Sequence, residues 1–133
     1  MGSVEILGRE VGGRTVAEWD KLWTPVPGWR TANTPELQKG RGIVRFRQSG
    51  KVMAIVRASD NKRGFVKKFS DYVRPSPSSR DHHIGALIYE NRHDLTADII
   101  VTGECQDMER VNMALKQAMK ELYQPVWSAS ARP

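Results

Sequence analysis

The stretch GIVRFRQSGKVMAIVR, residues 42–57, predicts a β-hairpin. Side chains alternate from Gly42 onward, so that Ile43, Arg45 and Arg47 share one side of a strand and Val44 and Phe46 share the other. A short turn over 48–50 separates this strand from a second apolar run over 51–57. Two strands joined by so short a turn pair antiparallel. The hairpin therefore begins an antiparallel sheet.

Helical and extended segments follow the hairpin. Ser59, Asp60 and Asn61 supply N-cap side chains for a helix that runs to about Val73. The spacing of apolar residues predicts a second helix over 82–91, a buried strand over 95–102, and a last helix over 108–122 that Pro125 terminates. We therefore predict an α+β fold, with a small antiparallel three-stranded sheet flanked by helices in the order β-β-α-α-β-α.

Residues 1–40 carry weaker signals, and we expect an irregular N-terminal segment ahead of a core over 41–128. Residues 4–7 suggest a short strand. Thr15 and Glu18 have the spacing of a capping box, and Thr34 with Pro35 favours one more helical turn. With 133 residues, the chain is most simply a single domain over 1–133.

Positive charge is concentrated around the hairpin. Residues 39–74 hold 11 of the 21 lysine and arginine side chains but two of the 15 acids, which gives this window a net charge of +9. A surface charged only for solubility would mix both signs. Concentrated positive charge is typical of proteins that bind phosphate, so nucleic acid is the expected partner.

Composition excludes several classes. A single cysteine, Cys105, cannot form an internal disulfide or a cysteine-based zinc site. No apolar run approaches the roughly 20 residues of a membrane helix. The N-terminal residues lack the apolar region of a signal peptide. We therefore expect a cytoplasmic protein without membrane contact.

Several strings resemble the GIY-YIG nuclease domain, especially the version in the excinuclease C subunit. Residues 42–44 stand where that family has its GIY strand, and residues 54–56 stand where it has YIG. A basic helix follows over 62–72, and residues 122–125, LYQP, match the turn that closes the family's last helix. The likeness covers residues 42–128 and implies the same order of strands and helices.

The chain departs from this family at the residues that carry its chemistry. Val44 and Ala54 replace the two tyrosines, and Lys116 falls at the position of the metal-binding glutamate. Ser128 replaces the terminal asparagine. An ammonium would repel the cation that a glutamate binds. The resemblance therefore implies a nuclease fold without cleavage, so we expect no enzyme, no metal and no cofactor.

These observations predict non-catalytic DNA binding through backbone phosphates. Arginines interleaved with aromatic residues favour single-stranded or distorted DNA over sequence-specific duplex, since no duplex-reading motif is present. The small size fits an accessory protein of replication, repair or transcription, such as a bacteriophage protein. The expected nucleic-acid-binding residues are Arg45, Arg47, Arg57, Lys62, Arg63, Lys67, Lys68, Arg74 and, as a stacking platform, Trp29.

Two alternatives remain open. The first is a protein-binding inhibitor or adaptor on a dead nuclease fold, with a partner from the transcription or replication machinery. The second is a metal-dependent DNA endonuclease that recruits substitute residues such as His82 or Glu109. Neighbouring histidines on a helix point about 100° apart and rarely share an ion, so His82 and His83 do not predict a metal site.

Overall fold

The computed structural model describes residues 3–58, 63–74, 83–104 and 108–127. The proposed helix caps at 59–61, Lys62, His82, Cys105 and Ser128 lie outside these ranges. In chain order the elements are α1 (Ser3–Leu7), β1 (Glu10–Val11), β2 (Arg14–Thr15), α2 (Val16–Asp20), β3 (Thr24–Pro25), α3 (Pro35–Lys39), β4 (Arg41–Gln48), β5 (Lys51–Ala58), α4 (Gly64–Val73), α5 (His83–Glu90), β6 (Thr96–Gly103) and α6 (Glu109–Tyr123).

The predicted hairpin is confirmed as β4 and β5. Gln48 pairs with Lys51 across a two-residue turn. Ser49 and Gly50 both adopt positive φ, at 52° and 80°. Such a turn matches the right-handed twist of the two strands, and glycine adopts this geometry without steric cost.

The α+β class is confirmed, but the prediction of a single three-stranded sheet is wrong. The main sheet has four antiparallel strands in the order β3-β6-β4-β5, and β1 and β2 form a separate two-stranded sheet. Strand β3 joins the edge of the main sheet through the pairs Thr24–Ile99 and Pro25–Asp98. A proline is tolerated at an edge, where one side of the strand makes no ladder hydrogen bonds. Two-residue strands show no alternation from which sequence could predict them.

The N-terminal segment contributes short helices to the fold. Residues 4–7 belong to helix α1, so the predicted strand there is wrong; Ile6 packs instead into the core beside α6. The capping box of α2 is confirmed, because the backbone N–H of Glu18 donates to Thr15 Oγ1 at 3.2 Å and that of Thr15 donates to Glu18 Oε1 at 2.8 Å. Thr34 caps α3 by accepting from the backbone N–H of Leu37 at 3.3 Å.

Helices cover both faces of the main sheet. On one face, Val44, Phe46 and Val56 pack against α3, α4 and α5 through residues such as Phe65 and Ile88. On the other face, the sheet packs against α6 and the N-terminal segment. The core residues on this side are Ile43, Ile55, Ile100, Leu115, Met119, Val16 and Trp19. The sheet therefore separates α4 from α6, and this decides which basic residues can meet.

Strand β5 is an edge of the main sheet, and the chain after α6 covers part of it. Gln124 ends α6 with a left-handed backbone conformation (φ 49°), and Pro125 follows. The backbone N–H groups of Val126 and Trp127 then donate to the carbonyls of Val52 and Met53 at 3.2 and 2.7 Å. Helices α4 and α6 both contact β5, from opposite faces of the sheet.

No helix in the described ranges has the length and apolar character needed to cross a membrane.

Candidate nucleic-acid interface

The sheet divides the basic residues that sequence assigns to one surface. Arg45 and Arg57 lie on the α6 side, because Arg45 pairs with Ile55 and Arg57 pairs with Ile43 in the antiparallel register. Lys67 and Lys68 belong to α4, which packs on the opposite face. Arg45 and Arg57 therefore lie on the other face of the sheet from the helix that carries Lys67 and Lys68. These residues can approach one another only around the edge of the sheet at β5.

Arg45 and Arg47 are bound internally to one carboxylate. Asp98 of β6 is 2% exposed and accepts from Arg45 Nε at 3.0 Å and from Arg47 Nε at 2.7 Å. The guanidinium of Arg45 also lies over the rings of Trp23 and Tyr123, 4.4 and 5.4 Å from their centroids. The nearly buried carboxylate of Asp98 needs these partners, because a buried charge without compensation is strongly destabilising. The structure thus gives both arginines a structural role.

Tyr123 extends this internal network to the N-terminal segment. Its hydroxyl accepts from Arg45 Nη1 at 3.1 Å and donates to Asp20, which also accepts from Trp23 Nε1 at 2.9 Å. Burial, and next the hydrogen bond to Asp20, raise the pKa of Tyr123 to about 12. The network therefore joins the end of α6 to β4, β6 and the segment before β3.

Three other predicted cations take part in ion pairs nearer the surface. Arg57 Nε lies 3.1 Å from Glu109 Oε1, with both side chains more than a third exposed. On α4, Lys67 Nζ lies 2.6 Å from Asp71 Oδ1, and Arg74 lies 4.0 Å from the same carboxylate. Exposed pairs of this kind contribute roughly 0–1 kcal/mol and exchange readily with other partners. These residues can still bind an anion.

Trp29 is not a stacking platform, so that prediction is wrong. Its side chain is 3% exposed, and the ring packs against Phe46 and Phe69 with centroid distances of 4.9 and 5.7 Å. The indole N–H donates to the carbonyl of Leu95 at 2.9 Å. The Pro/Gly-rich sequence around Trp29 suggested an exposed loop, but the ring fills the core on the α4 side of the sheet.

An open groove of about 520 Å³ runs between α6 and the edge of the sheet at β5. Its lining residues are Arg57, Arg110, Met113, Ala114, Lys116 and Gln117. Of the residues predicted from sequence to bind nucleic acid, Arg57 lines it. The remainder come from α6, whose apolar periodicity had indicated only core packing. The spacing 110, 113, 114 and 117 could have identified a shared outer face, because residues three, four and seven apart lie on one side of a helix.

Lys116 is the centre of positive charge in this groove. Burial lowers the pKa of Lys116, and the neighbouring charges of Lys120, Arg57 and Lys68 lower it further. Lys68, on α4, makes the smallest of these contributions. Among the described residues, no carboxylate forms an ion pair with Lys116. An anion bound beside the ammonium would relieve this repulsion.

The remaining basic residue of the proposed surface is Arg63, which is exposed immediately before α4. Together with Lys67, Lys68 and Arg74 it gives α4 a basic surface of its own. Lys68 also lies near the ring of Tyr72, 5.7 Å from its centroid.

Of the residues at the positions of the nuclease motif, Val44 and Ala54 lie on adjacent paired strands, and Lys116 lies apart from both. Val44 and Ala54 are fully buried in the core on the α4 side, whereas Lys116 lines the groove beside α6. The described ranges contain no cluster of three or more histidine, cysteine, aspartate or glutamate side chains arranged to hold a metal ion.

Comparison of the chain with protein-family models, curated protein sequences and solved structures finds no significant match.

Proposed function

We propose that this protein binds nucleic acid through backbone phosphates, without cleaving it, and that the Lys116 groove is the centre of the contact. The supporting observation is that Arg57, Arg110 and Lys116 line one groove, and that the charges of Lys68 and Lys120 also act on Lys116. Arg57 comes from β5, Lys68 from α4, and Arg110, Lys116 and Lys120 come from α6. Such an arrangement attracts an anion more strongly than the same charges would when spread over the surface.

Phosphate fits this groove because its charge offsets the repulsion around Lys116. A half-buried ammonium beside three other cations is unfavourable until a negative group approaches. Phosphate oxygens accept hydrogen bonds from both arginine and lysine. Arg57 can exchange its exposed contact with Glu109 for a phosphate at little cost.

Binding without cleavage is supported by the residues at the nuclease motif. In a GIY-YIG-like fold, Val44 and Ala54 cannot activate a water molecule as tyrosines can. Lys116 would repel a catalytic cation from the position where the family has its glutamate. Phosphodiester cleavage by that family requires both functions together. The same positions therefore support a protein that retains the phosphate contact alone.

Single-stranded or distorted DNA is the favoured ligand. The groove follows one sheet edge and one helix, which suits a single backbone better than the two backbones of a duplex. The described elements include no helix of the known duplex-reading motifs. Such a protein fits an accessory role in replication, repair or transcription.

The decisive experiment is fluorescence-anisotropy binding to matched single-stranded and duplex oligonucleotides, titrated with salt in the presence of magnesium. If five cations engage a single strand, the log–log dependence of affinity on salt has a slope of about −3.5. The DNA should remain intact when it is recovered on a denaturing gel. Cleavage of the recovered DNA would contradict the non-catalytic proposal.

Three double charge reversals locate the interface. Lys116→Glu with Lys120→Glu should weaken binding strongly, whereas Lys21→Glu with Lys39→Glu changes the net charge equally at exposed positions and should weaken it little. Arg63→Glu with Lys67→Glu tests the α4 surface and should have an intermediate effect. Equal effects of the first two double variants would show that net charge, and not the groove, determines affinity.

A protein partner is the alternative, and the salt titration distinguishes it. Exposed Met113 gives the groove an apolar component that an adaptor or inhibitor could use. Absence of binding to either oligonucleotide at low salt would favour this alternative over nucleic acid.

A further inference from the structure

An exposed methionine lies within the cationic groove. Met113 is 53% exposed although its neighbours in the groove include Arg57, Arg110 and Lys116. Isolated exposed apolar residues are common on protein surfaces. Met113 differs because it lines a concave site together with Ala114, whose small side chain leaves space beside it. The groove therefore presents an apolar surface bordered by positive charge.

We propose that this apolar surface accepts an unpaired nucleobase while the adjacent phosphates contact the surrounding cations. The inference rests on the proposed function and names a ligand for the same groove, namely the nucleotides of a single strand with their bases free. A base is a flat ring whose faces are weakly hydrated, and it lies close to a phosphate along every strand. The groove offers the same combination, with Met113 and Ala114 beside Arg57 and Lys116.

The size and chemistry of the groove support a nucleotide over a free phosphate ion. A volume of about 520 Å³ lies in the range of sites for small organic ligands, roughly 300–1,000 Å³. A phosphate ion would leave Met113 without a contact. Methionine is flexible and polarisable, and its sulfur makes favourable contacts with aromatic rings. It can thus adapt to different bases, which suits binding without sequence preference.

Stacking on a methionine replaces the aromatic stacking predicted from sequence. Trp29 and Phe46 are buried in the core on the α4 side of the sheet and cannot contact a base. Met113 lies on the outer face of α6, at helical spacing from Arg110 and Gln117. Of these three side chains, it is the one with an apolar end that reaches solvent inside the groove.

The test compares two oligomers of equal length and charge, one of thymidine and one with abasic spacers that carry no bases. Wild-type protein should bind the thymidine oligomer about five-fold more tightly, as expected for one sulfur–ring contact and its apolar burial. Met113→Ala should remove most of this difference by weakening thymidine binding, and should leave spacer binding unchanged. Leu22→Ala, at another exposed apolar residue, is the matched control and should preserve the difference.

The outcomes separate this inference from the proposed function. Lys116→Glu with Lys120→Glu should weaken both oligomers, because both carry phosphates. Equal wild-type affinity for the two oligomers would overturn the base contact while leaving phosphate binding intact. Equal weakening of both oligomers by Met113→Ala would also overturn it, since the methionine would then only shape the groove. Failure of wild-type protein to bind either oligomer would overturn the proposed function together with the inference.

Discussion

Arg45 of β4 is bound to Asp98 of β6 across adjacent strands, with Nε 3.0 Å from Oδ2. Arg47 reaches the same carboxylate, so one nearly buried aspartate holds two arginines of the hairpin. In sequence, Asp98 is 53 residues from Arg45 and 51 residues from Arg47. The pair shows that the most basic part of the sequence serves the stability of the sheet as well as its surface charge.

Asp98→Asn should therefore destabilise the protein strongly. Removing one partner of a buried ion pair leaves its charge uncompensated and costs about 3–5 kcal/mol. We expect a loss of about 3 kcal/mol in the free energy of unfolding, since Arg47 retains partial exposure. Urea denaturation followed by circular dichroism measures this loss.

The matched control is Glu109→Gln, which removes the carboxylate that pairs with Arg57. Both side chains of that pair are more than a third exposed, so the loss should stay below about 1 kcal/mol. A similar loss for both variants would mean that the burial of Asp98 does not determine its contribution.

Strands and helices in which apolar residues recur regularly could be predicted from sequence. The elements that they pair or pack with could not. Sequence periodicity is sufficient to identify the hairpin, strand β6, and the helices α5 and α6 that precede and follow β6. Strand β3 has two residues and helix α1 has five, which is too few to show a regular apolar pattern. Both form through contacts with distant parts of the chain.

The candidate site was harder to predict because its residues come from separate elements. The sequence identifies Lys116 only as the residue at the position of a metal-binding glutamate. The charges that lower its pKa include Arg57 of strand β5 and Lys68 of helix α4, which are separate elements of the chain. The charges of both residues act on Lys116, and this depends on strand order, which local sequence patterns do not determine. Met113 is one of several methionines and leucines in α6, and only the position of the helix shows which of them are exposed.

Gly42→Ala should disrupt the pairing of β4 with β6. A Cβ at this position would lie 1.8 Å from the carbonyl oxygen of Ile100, and backbone cannot move aside as a flexible side chain can. Overpacking of this kind costs about 1–3 kcal/mol or more. Thermal unfolding should show a much lower midpoint for Gly42→Ala than for Gly8→Ala, where the new Cβ would meet ordinary contacts at 3.7 Å. Equal midpoints would contradict the close approach of the two strands.

Tyr123→Phe should lower stability at neutral pH and change its alkaline dependence. The hydroxyl loses its bonds with Arg45 and Asp20, which should cost about 1–2 kcal/mol. Because the folded-state pKa is raised from 10.0 to about 12, the tyrosine contributes stability below pH 10 that is lost as pH rises toward 12. Wild type should therefore lose more stability than Tyr123→Phe over this interval. Denaturant unfolding at several alkaline pH values measures the difference, and parallel curves would contradict the raised pKa.

Lys116→Met should stabilise the protein at neutral pH, in exchange for weaker anion binding. Burial lowers the pKa of Lys116 and so do the charges of Lys120, Arg57 and Lys68, which means that the folded state disfavours the ammonium. The unfolded chain then holds this proton more tightly, so wild-type stability should rise with pH as the folded-state Lys116 deprotonates. The advantage of Lys116→Met should accordingly shrink toward the ordinary pKa of lysine, near 10.5.

Urea denaturation of both proteins at neutral and alkaline pH tests this, in buffers without multivalent anions that would occupy the groove. The matched control is Lys51→Met at the exposed start of β5, outside the groove. Adding inorganic phosphate should stabilise wild type more than Lys116→Met, because the ammonium gains the counter-charge that the described residues do not supply. A neutral-pH stability of Lys116→Met below that of wild type would show that the lysine stem contributes more by packing than its charge costs.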